Sequence, residues 1–145
     1  MVYYIRNNLF YHKKKQQEDK EMTYEQIVEE MRKLIAKKDV SKVKEHLAYQ
    51  FNIMGEGEGI FYLEVEGGRA HVEPYEYYDR NAIFVCEADV LFDIINGKLD
   101  PIKAFEKKKL EVRGDLTKAL KLKEFIYVFK RREIEKVVGI IIPLR

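Results

Sequence analysis

The chain has 145 residues, enough for one compact domain with a substantial core but few for two. Its 46% hydrophobic and 36% charged residues argue against disorder along the whole chain, and no apolar run reaches the roughly 20 residues of a membrane span. The single cysteine excludes an intramolecular disulfide framework and a multi-cysteine metal site, and it favours a reducing, cytoplasmic setting.

The net charge of +2 hides an asymmetry, since residues 1–100 carry a net charge of −5 and residues 101–145 carry +7. A basic C-terminal third can attract phosphate head groups, an anionic membrane surface or nucleic acid, although a solvated helix surface gives the same pattern. Acidic residues are interspersed among the basic ones. We therefore favour the solvated surface and expect no nucleic-acid partner.

Two helices are predicted before the first strand. Thr23 and Gln26 have the spacing of a capping box, and apolar residues at helical spacing follow them. After a break near Asp39, Val43 and Leu47 lie four residues apart and predict a second, shorter helix.

Four strands are predicted next. Residues 49–53 and 61–65 alternate apolar and polar side chains, as half-buried strands do. Gly67 and Gly68 suit a tight hairpin that leads into a third strand over residues 69–72, so antiparallel pairing is expected. Residues 82–86 are continuously apolar and predict an inner strand.

The remaining pattern alternates short helices with a fifth strand. Residues 89–96 predict a helix closed by Gly97, and Asp100 followed by Pro101 predicts the start of another. Residues 109–113 predict the fifth strand, after which Asp115 can cap one long helix. The summed pattern is an α+β fold.

Residues 88–122, ADVLFDIINGKLDPIKAFEKKKLEVRGDLTKALKL, resemble the signature stretch of the sterol carrier protein family. The order is an acidic-apolar helix, Gly-Lys-Leu, an Asp-Pro turn, a Lys-Ala-Phe helix, a Leu-x-Val-x-Gly strand and a leucine-containing helix. The resemblance implies a five-stranded, mostly antiparallel sheet covered on one face by about five helices, with an apolar tunnel between them. It also implies a stand-alone, prokaryotic-like domain over residues 22–132, between an N-terminal extension (1–21) and an apolar C-terminal extension (133–145).

Members of that family bind fatty acyl chains, acyl-CoA, phospholipids or sterols, so the resemblance implies non-catalytic lipid binding or transfer, without a cofactor. Apolar side chains with almost no polar group among them suit such a cavity. The residues expected to bind lipid are Val90, Leu91, Ile94, Ile95, Leu99, Ile102, Phe105, Leu110, Val112, Leu116, Ala119 and Leu120.

Two alternatives stay open. The same apolar residues can fill a solid core, in which case the domain would be an interaction or dimerisation module, accessory to an enzyme or joined as a homodimer through its extensions. Four basic residues can hold the head group of acyl-CoA or of an anionic lipid, or contact an anionic membrane transiently, or they can simply be solvated. They are Lys107, Lys108, Lys130 and Arg131.

Residues that carry chemistry are sparse. His12, His46 and His71 are scattered and have no metal-ligand spacing, so no metal site is predicted. Cys86 lies within an apolar strand, where an inert buried thiol is expected rather than a nucleophile. The glycine-rich run over residues 55–59 lacks the lysine of a phosphate-binding loop and predicts a turn.

Overall fold

Residues 21–130 are described by a computed structural model, and five strands within them form a single sheet. The strands are β1 (Leu47–Met54), β2 (Gly59–Glu66), β3 (Arg69–Glu73), β4 (Ala82–Glu87) and β5 (Leu110–Gly114). They lie in the order β3-β2-β1-β4-β5. Only β1 and β4 pair in parallel, and the other three pairs are antiparallel. The mostly antiparallel five-stranded sheet expected from the sequence is confirmed.

Five helices pack on one face of this sheet. They are α1 (Tyr24–Ala36), α2 (Ala88–Ile95), α3 (Pro101–Glu106), α4 (Leu116–Leu120) and α5 (Leu122–Ile126). The predicted capping box starts α1, where the Thr23 amide donates to Gln26 Oε1 at 2.9 Å and the Gln26 amide donates to Thr23 Oγ1 at 3.2 Å. The apolar stripe of α1 is buried beyond this cap. Helices packed on a mostly antiparallel sheet confirm the predicted α+β class.

The core lies between the sheet and α1, α2 and α5. Alternate residues of the strands point toward the helices, and Phe51 stacks between Phe61 and Phe84 with ring centroids 5.2 and 5.5 Å apart. Tyr49 is fully buried beside them, and its hydroxyl donates to the main-chain carbonyl of Lys118 at 2.5 Å. Buried aromatic pairs of this kind add to the stabilisation from apolar burial.

The predicted second helix is wrong. Residues 41–46 are irregular, and the Asp39 carboxylate accepts hydrogen bonds from the amide and hydroxyl of Ser41 at 3.1 and 2.6 Å, which favours a turn. Leu47 is the first residue of β1. Its side chain continues the strand alternation of Tyr49 and Phe51, and this longer pattern outweighs one apolar pair at helical spacing.

The predicted long helix after Asp115 is also wrong, because two five-residue helices occupy its place. Asp115 does cap α4, since its carboxylate accepts from the Lys118 amide at 3.1 Å. The chain then tightens at Lys121, whose amide donates to the Lys118 carbonyl at 3.1 Å before α5 begins. This tightening lets α4 and α5 present their apolar residues to different surroundings.

The turn over residues 55–59 packs beneath the start of α1. A Cβ atom at Gly59 would overlap the ring of Tyr24, whose hydroxyl donates to the carbonyl of Ile60. Glycine is therefore needed at this position for close packing.

Candidate functional site

A groove of about 300 Å³ lies between α3, α4 and the helix-side face of β4 and β5. Its floor is formed by strand residues that are buried or half-buried, and its walls are formed mainly by residues of the two short helices. The lining residues are Phe84, Pro101, Ile102, Phe105, Leu110, Val112, Leu116, Ala119, Leu120 and Lys123. Every one of them except Lys123 is apolar.

Helix caps and one glycine position the walls. Asp100 accepts a hydrogen bond from the Ile102 amide at 2.8 Å, and Pro101 occupies the first turn of α3, as predicted. The six-residue α3 places Ile102 and Phe105 three positions apart and therefore on one side. Gly114 then has a φ of +99°, which reverses the chain between β5 and α4.

The walls of the groove are much more exposed than its floor. Ile102, Phe105, Leu116 and Leu120 are 42%, 54%, 60% and 56% exposed, although each is a large apolar residue. Leu110 on the floor is 4% exposed. Apolar side chains that converge on one concave surface and stay open to water are typical of a binding site. Since the described residues leave one side of the groove open, the enclosed tunnel stays a prediction.

Lys123 brings the only charge to the lining within the described residues. Its ammonium group lies 3.4 Å from the Asp100 carboxylate at the start of α3. A hydrogen bond from the Ile102 amide, together with the proximity of Lys123, holds the pKa of Asp100 below its usual value. The groove therefore has an apolar interior and an ion pair at its rim.

Seven of the twelve predicted lipid-binding residues line this groove. They are Ile102, Phe105, Leu110, Val112, Leu116, Ala119 and Leu120. The other five lie elsewhere. Leu91, Ile94 and Ile95 of α2 are buried in the core, Leu99 packs against the core, and Val90 lines a separate hollow.

The three predicted head-group residues within the described range do not line the groove. Lys108 borders the same separate hollow as Val90, and Lys107 is the exposed C-cap of α3. Lys130 is exposed at the end of the described residues, and Arg131 lies outside them.

Sequence reasoning missed three lining residues, Phe84, Pro101 and Lys123. Phe84 pairs with Val112 across β4 and β5, so strand alternation was a signal that could have placed it on the floor. Lys123 follows Leu120 by three residues and Leu116 by seven. In the single long helix predicted from the sequence, this spacing would place all three on one side. A search for charged residues on the apolar side would have found it.

Cys86 is buried in β4, as predicted. Desolvation and, secondarily, the nearby carboxylates of Asp89 and Glu87 raise the pKa of its thiol to about 12. The thiol therefore stays protonated at neutral pH and is a poor nucleophile.

Among the helices of residues 21–130, none combines the length and the apolar composition that crossing a bilayer requires.

Comparison with known proteins gives relatives for part of the chain. Hydroxysteroid dehydrogenase-like protein 2 of Danio rerio is 30% identical over 87 residues, which is 58% of this chain and 20% of that protein. The mouse protein of the same name is 32% identical over 81 residues, 54% of this chain and 16% of that protein. The chain thus spans about a fifth or less of the length of these curated relatives.

Solved structures share the fold. Sterol carrier protein 2 of Aedes aegypti, solved in complex with palmitate, aligns with a TM-score of 0.52 and 21% identity, over 75% of this chain and 98% of that chain. The sec-alkylsulfatase Pisa1 of a Pseudomonas species aligns with a TM-score of 0.57 and 17% identity, over 67% of this chain and 15% of its own. The SCP-2 sterol transfer family model matches residues 25–126, more than half of the chain, and the chain therefore belongs to that family.

Proposed function

We propose that the chain binds a lipid with a long apolar chain in the groove between α3, α4 and the sheet, and that it does so without catalysis. One observation carries this proposal: four large apolar side chains, 42–60% exposed, converge on a single groove of about 300 Å³. Membership of the SCP-2 sterol transfer family supports it. The palmitate complex of the Aedes aegypti protein makes a fatty acid a reasonable first ligand to test.

The free energy available from this groove suits a reversible carrier. Covering the exposed halves of four large apolar side chains is worth roughly 3–6 kcal/mol, before the cost of ordering the ligand. The apolar surface of the ligand itself adds to this gain. Buried Phe84 and Leu110 already form the floor, so a bound chain would add contacts without opening the core.

Lys123 favours an anionic ligand. An acyl chain in the groove would bring its head group to the rim, where the Lys123 ammonium could pair with a carboxylate or phosphate in place of Asp100. We propose a fatty acid, fatty acyl-CoA or phospholipid before a neutral sterol. The predicted head-group residues Lys107, Lys108, Lys130 and Arg131 stay proposed contacts for a larger head group or for an anionic membrane surface.

A fluorescent fatty-acid titration tests the proposal, together with mass spectrometry of natively purified protein. The wild type should bind saturably, and Ile102→Asp should weaken binding about tenfold or more because it places a charge among the groove walls. Ile60→Asp is the matched control, since Ile60 is 39% exposed and not part of the groove. If no acyl chain, acyl-CoA or phospholipid binds saturably, or if both variants lose affinity equally, the groove is not the lipid site.

The exposed groove walls also favour a second candidate function, an interaction or dimerisation module that is accessory to an enzyme. Another protein surface could cover Ile102, Phe105, Leu116 and Leu120 instead of a lipid. Sedimentation of the lipid-free chain distinguishes the two functions. A dimer that Ile102→Asp converts to monomer would favour this candidate, and a lipid-free monomer would favour the first.

A further inference from the structure

The sheet face opposite the helices carries a cluster of polar side chains from four segments. His46 precedes β1, Glu64 and Glu66 lie on β2, His71 lies on β3, and Tyr77 lies in the loop between β3 and β4. His46 Nε2 is 2.6 Å from Glu64 Oε2, and His71 Nε2 is 3.2 Å from Glu64 Oε1. Both oxygens of one carboxylate thus face an imidazole nitrogen.

Strand register brings these residues together. The hairpin at residues 67–68 pairs Glu64 with His71, and β1 places Ala48 opposite Glu64 on the other side. His46 comes two residues before Ala48, and Glu66 comes two residues after Glu64. Since strand side chains alternate between faces, all of these positions share the face away from the helices.

Tyr77 closes one side of the cluster. Its hydroxyl donates a hydrogen bond to Glu64 Oε2, and its ring stacks on Tyr62 with centroids 4.6 Å apart. The Glu64 side chain is consequently only 12% exposed. Burial acts to raise its pKa, but hydrogen bonds from Tyr77 and His46 and the proximity of His71 outweigh burial, so the pKa of Glu64 lies below its usual value.

Three of these side chains nearly have the geometry of a metal site. One ligand atom each from His46, Glu64 and Glu66 lies within 4.8 Å of the other two. Ligand atoms at about 2.0–2.2 Å around a tetrahedral zinc ion lie roughly 3.4 Å apart, so small side-chain rotations that move these three atoms by about an ångström would bring them to that spacing. Imidazole and carboxylate together suit Zn²⁺, Co²⁺ or Ni²⁺ rather than Ca²⁺ or Mg²⁺.

We propose that His46, Glu64 and Glu66 bind a divalent transition-metal ion of the Zn²⁺ class, with His71 as the fourth ligand. The ion would link the start of β1 to β2 and β3, on the opposite side of the sheet from the lipid groove. It would therefore stabilise the N-terminal strands, and it would leave lipid binding unchanged.

The test uses the full metal-free chain, titrated with Zn²⁺ by calorimetry and with Co²⁺ by visible absorption. We expect one ion per chain, intense tetrahedral Co²⁺ bands and a higher melting temperature with Zn²⁺. His46→Ala and Glu66→Gln should each weaken binding about tenfold or more. Glu111→Gln is the matched control. Glu111 lies on β5, on the same face of the sheet as the cluster, and its carboxylate pairs with Arg113 instead.

A further variant distinguishes metal binding from a cluster that only joins the loop to the sheet through hydrogen bonds. Tyr77→Phe removes the hydroxyl contact with Glu64 but keeps all four ligands, so binding should persist. If His46→Ala does not fold, Glu66→Gln is the decisive variant, because Glu66 is exposed and its replacement should leave the fold intact.

Two results would overturn the proposal. One is the absence of saturable Zn²⁺ or Co²⁺ binding up to about 1 mM. The cluster would then only hold the loop between β3 and β4 against the sheet through hydrogen bonds. The other is undiminished binding in His46→Ala and Glu66→Gln, which would place the ion elsewhere on the chain.

Discussion

The ammonium group of Lys38 lies 3.0 Å from the carbonyl oxygen of Ile95, the last residue of α2. Lys38 also donates to the carbonyl of Ile126, the last residue of α5, and it lies 4.1 Å above the ring of Phe129. With Lys38 only 4% exposed, one buried cation satisfies carbonyl groups at two helix ends. Burial lowers the pKa of this lysine to about 8, so these contacts offset only part of the cost of desolvation.

Lys38→Met should lower the free energy of unfolding by about 2–4 kcal/mol, because it leaves two buried carbonyls without their donor. The measurement is urea unfolding at pH 7. Lys37→Met is the control, since Lys37 is exposed and should cost less than about 0.5 kcal/mol. Equal effects of the two substitutions would mean that the Lys38 contacts contribute little.

Lys123→Met should reduce the affinity for palmitate about three- to tenfold, because the rim of the groove loses its cation but keeps an apolar side chain. The affinity for the corresponding fatty alcohol should not change. Lys107→Met is the control because exposed Lys107 lies outside the groove. A larger loss with Lys107→Met, measured by the same fluorescent displacement titration, would place the head group at the end of α3 instead.

Gly114→Ala should destabilise the fold by about 3 kcal/mol. A Cβ atom there would lie 2.7 Å from the carbonyl oxygen of Asn81, at a φ of +99° that other residues rarely adopt. Gly67→Ala is the control, since its φ is +58° and a Cβ atom would meet nothing within 4 Å. That variant should cost only about 1 kcal/mol in urea unfolding. Similar costs at both positions would show that the chain relaxes easily around Gly114.

Cys86 should react with a thiol reagent only when the protein unfolds. Its side chain is buried, and with a pKa of about 12 almost no thiolate is present at pH 8. The measurement is the rate of reaction with a disulfide reagent in buffer and in 6 M guanidinium chloride, where the rate should rise by several orders of magnitude. Fast reaction in buffer would mean that β4 opens readily.

Glu64 should contribute to stability at neutral pH and lose that contribution in acid. Its pKa is lowered on folding, so the unfolded chain binds more protons and the free energy of unfolding falls as pH drops below about 4.5. Glu64→Gln should show a shallower decline than the wild type between about pH 5 and pH 3. Parallel curves for the two proteins would indicate that the ionised carboxylate gains nothing on folding.

Local patterns were enough to predict most of the fold. Strand alternation, the hairpin at residues 67–68 and the Asp100-Pro101 cap all act through neighbouring residues, and each lies where it was predicted. The two wrong helices depended on tertiary choices. Of residues 43–47, the first four are irregular and Leu47 begins β1. The helix after Asp115 breaks at Lys121, so that the residues before the break line the groove and those after it pack in the core.

The candidate site was only partly predictable, because helical spacing does not reveal which apolar side chains stay exposed. Leu91 and Leu120 carry equivalent signals in the sequence, yet Leu91 is buried in the core and Leu120 faces the groove. The histidine cluster was harder still. The hairpin at residues 67–68 sets the register of β2 and β3, from which the pairing of Glu64 with His71 could have been predicted. His46 could not, because it lies in the irregular segment before β1.

The separation of groove walls from core has an evolutionary consequence. Since Ile102, Phe105, Leu116 and Leu120 are largely exposed, replacing one of them should change the surface of the proposed lipid site at little cost in stability. Substitutions at Leu91, Ile94 or Ile95 would instead be selected for packing. Two short helices at the edge of the sheet can therefore diversify among relatives while the rest of the scaffold stays unchanged.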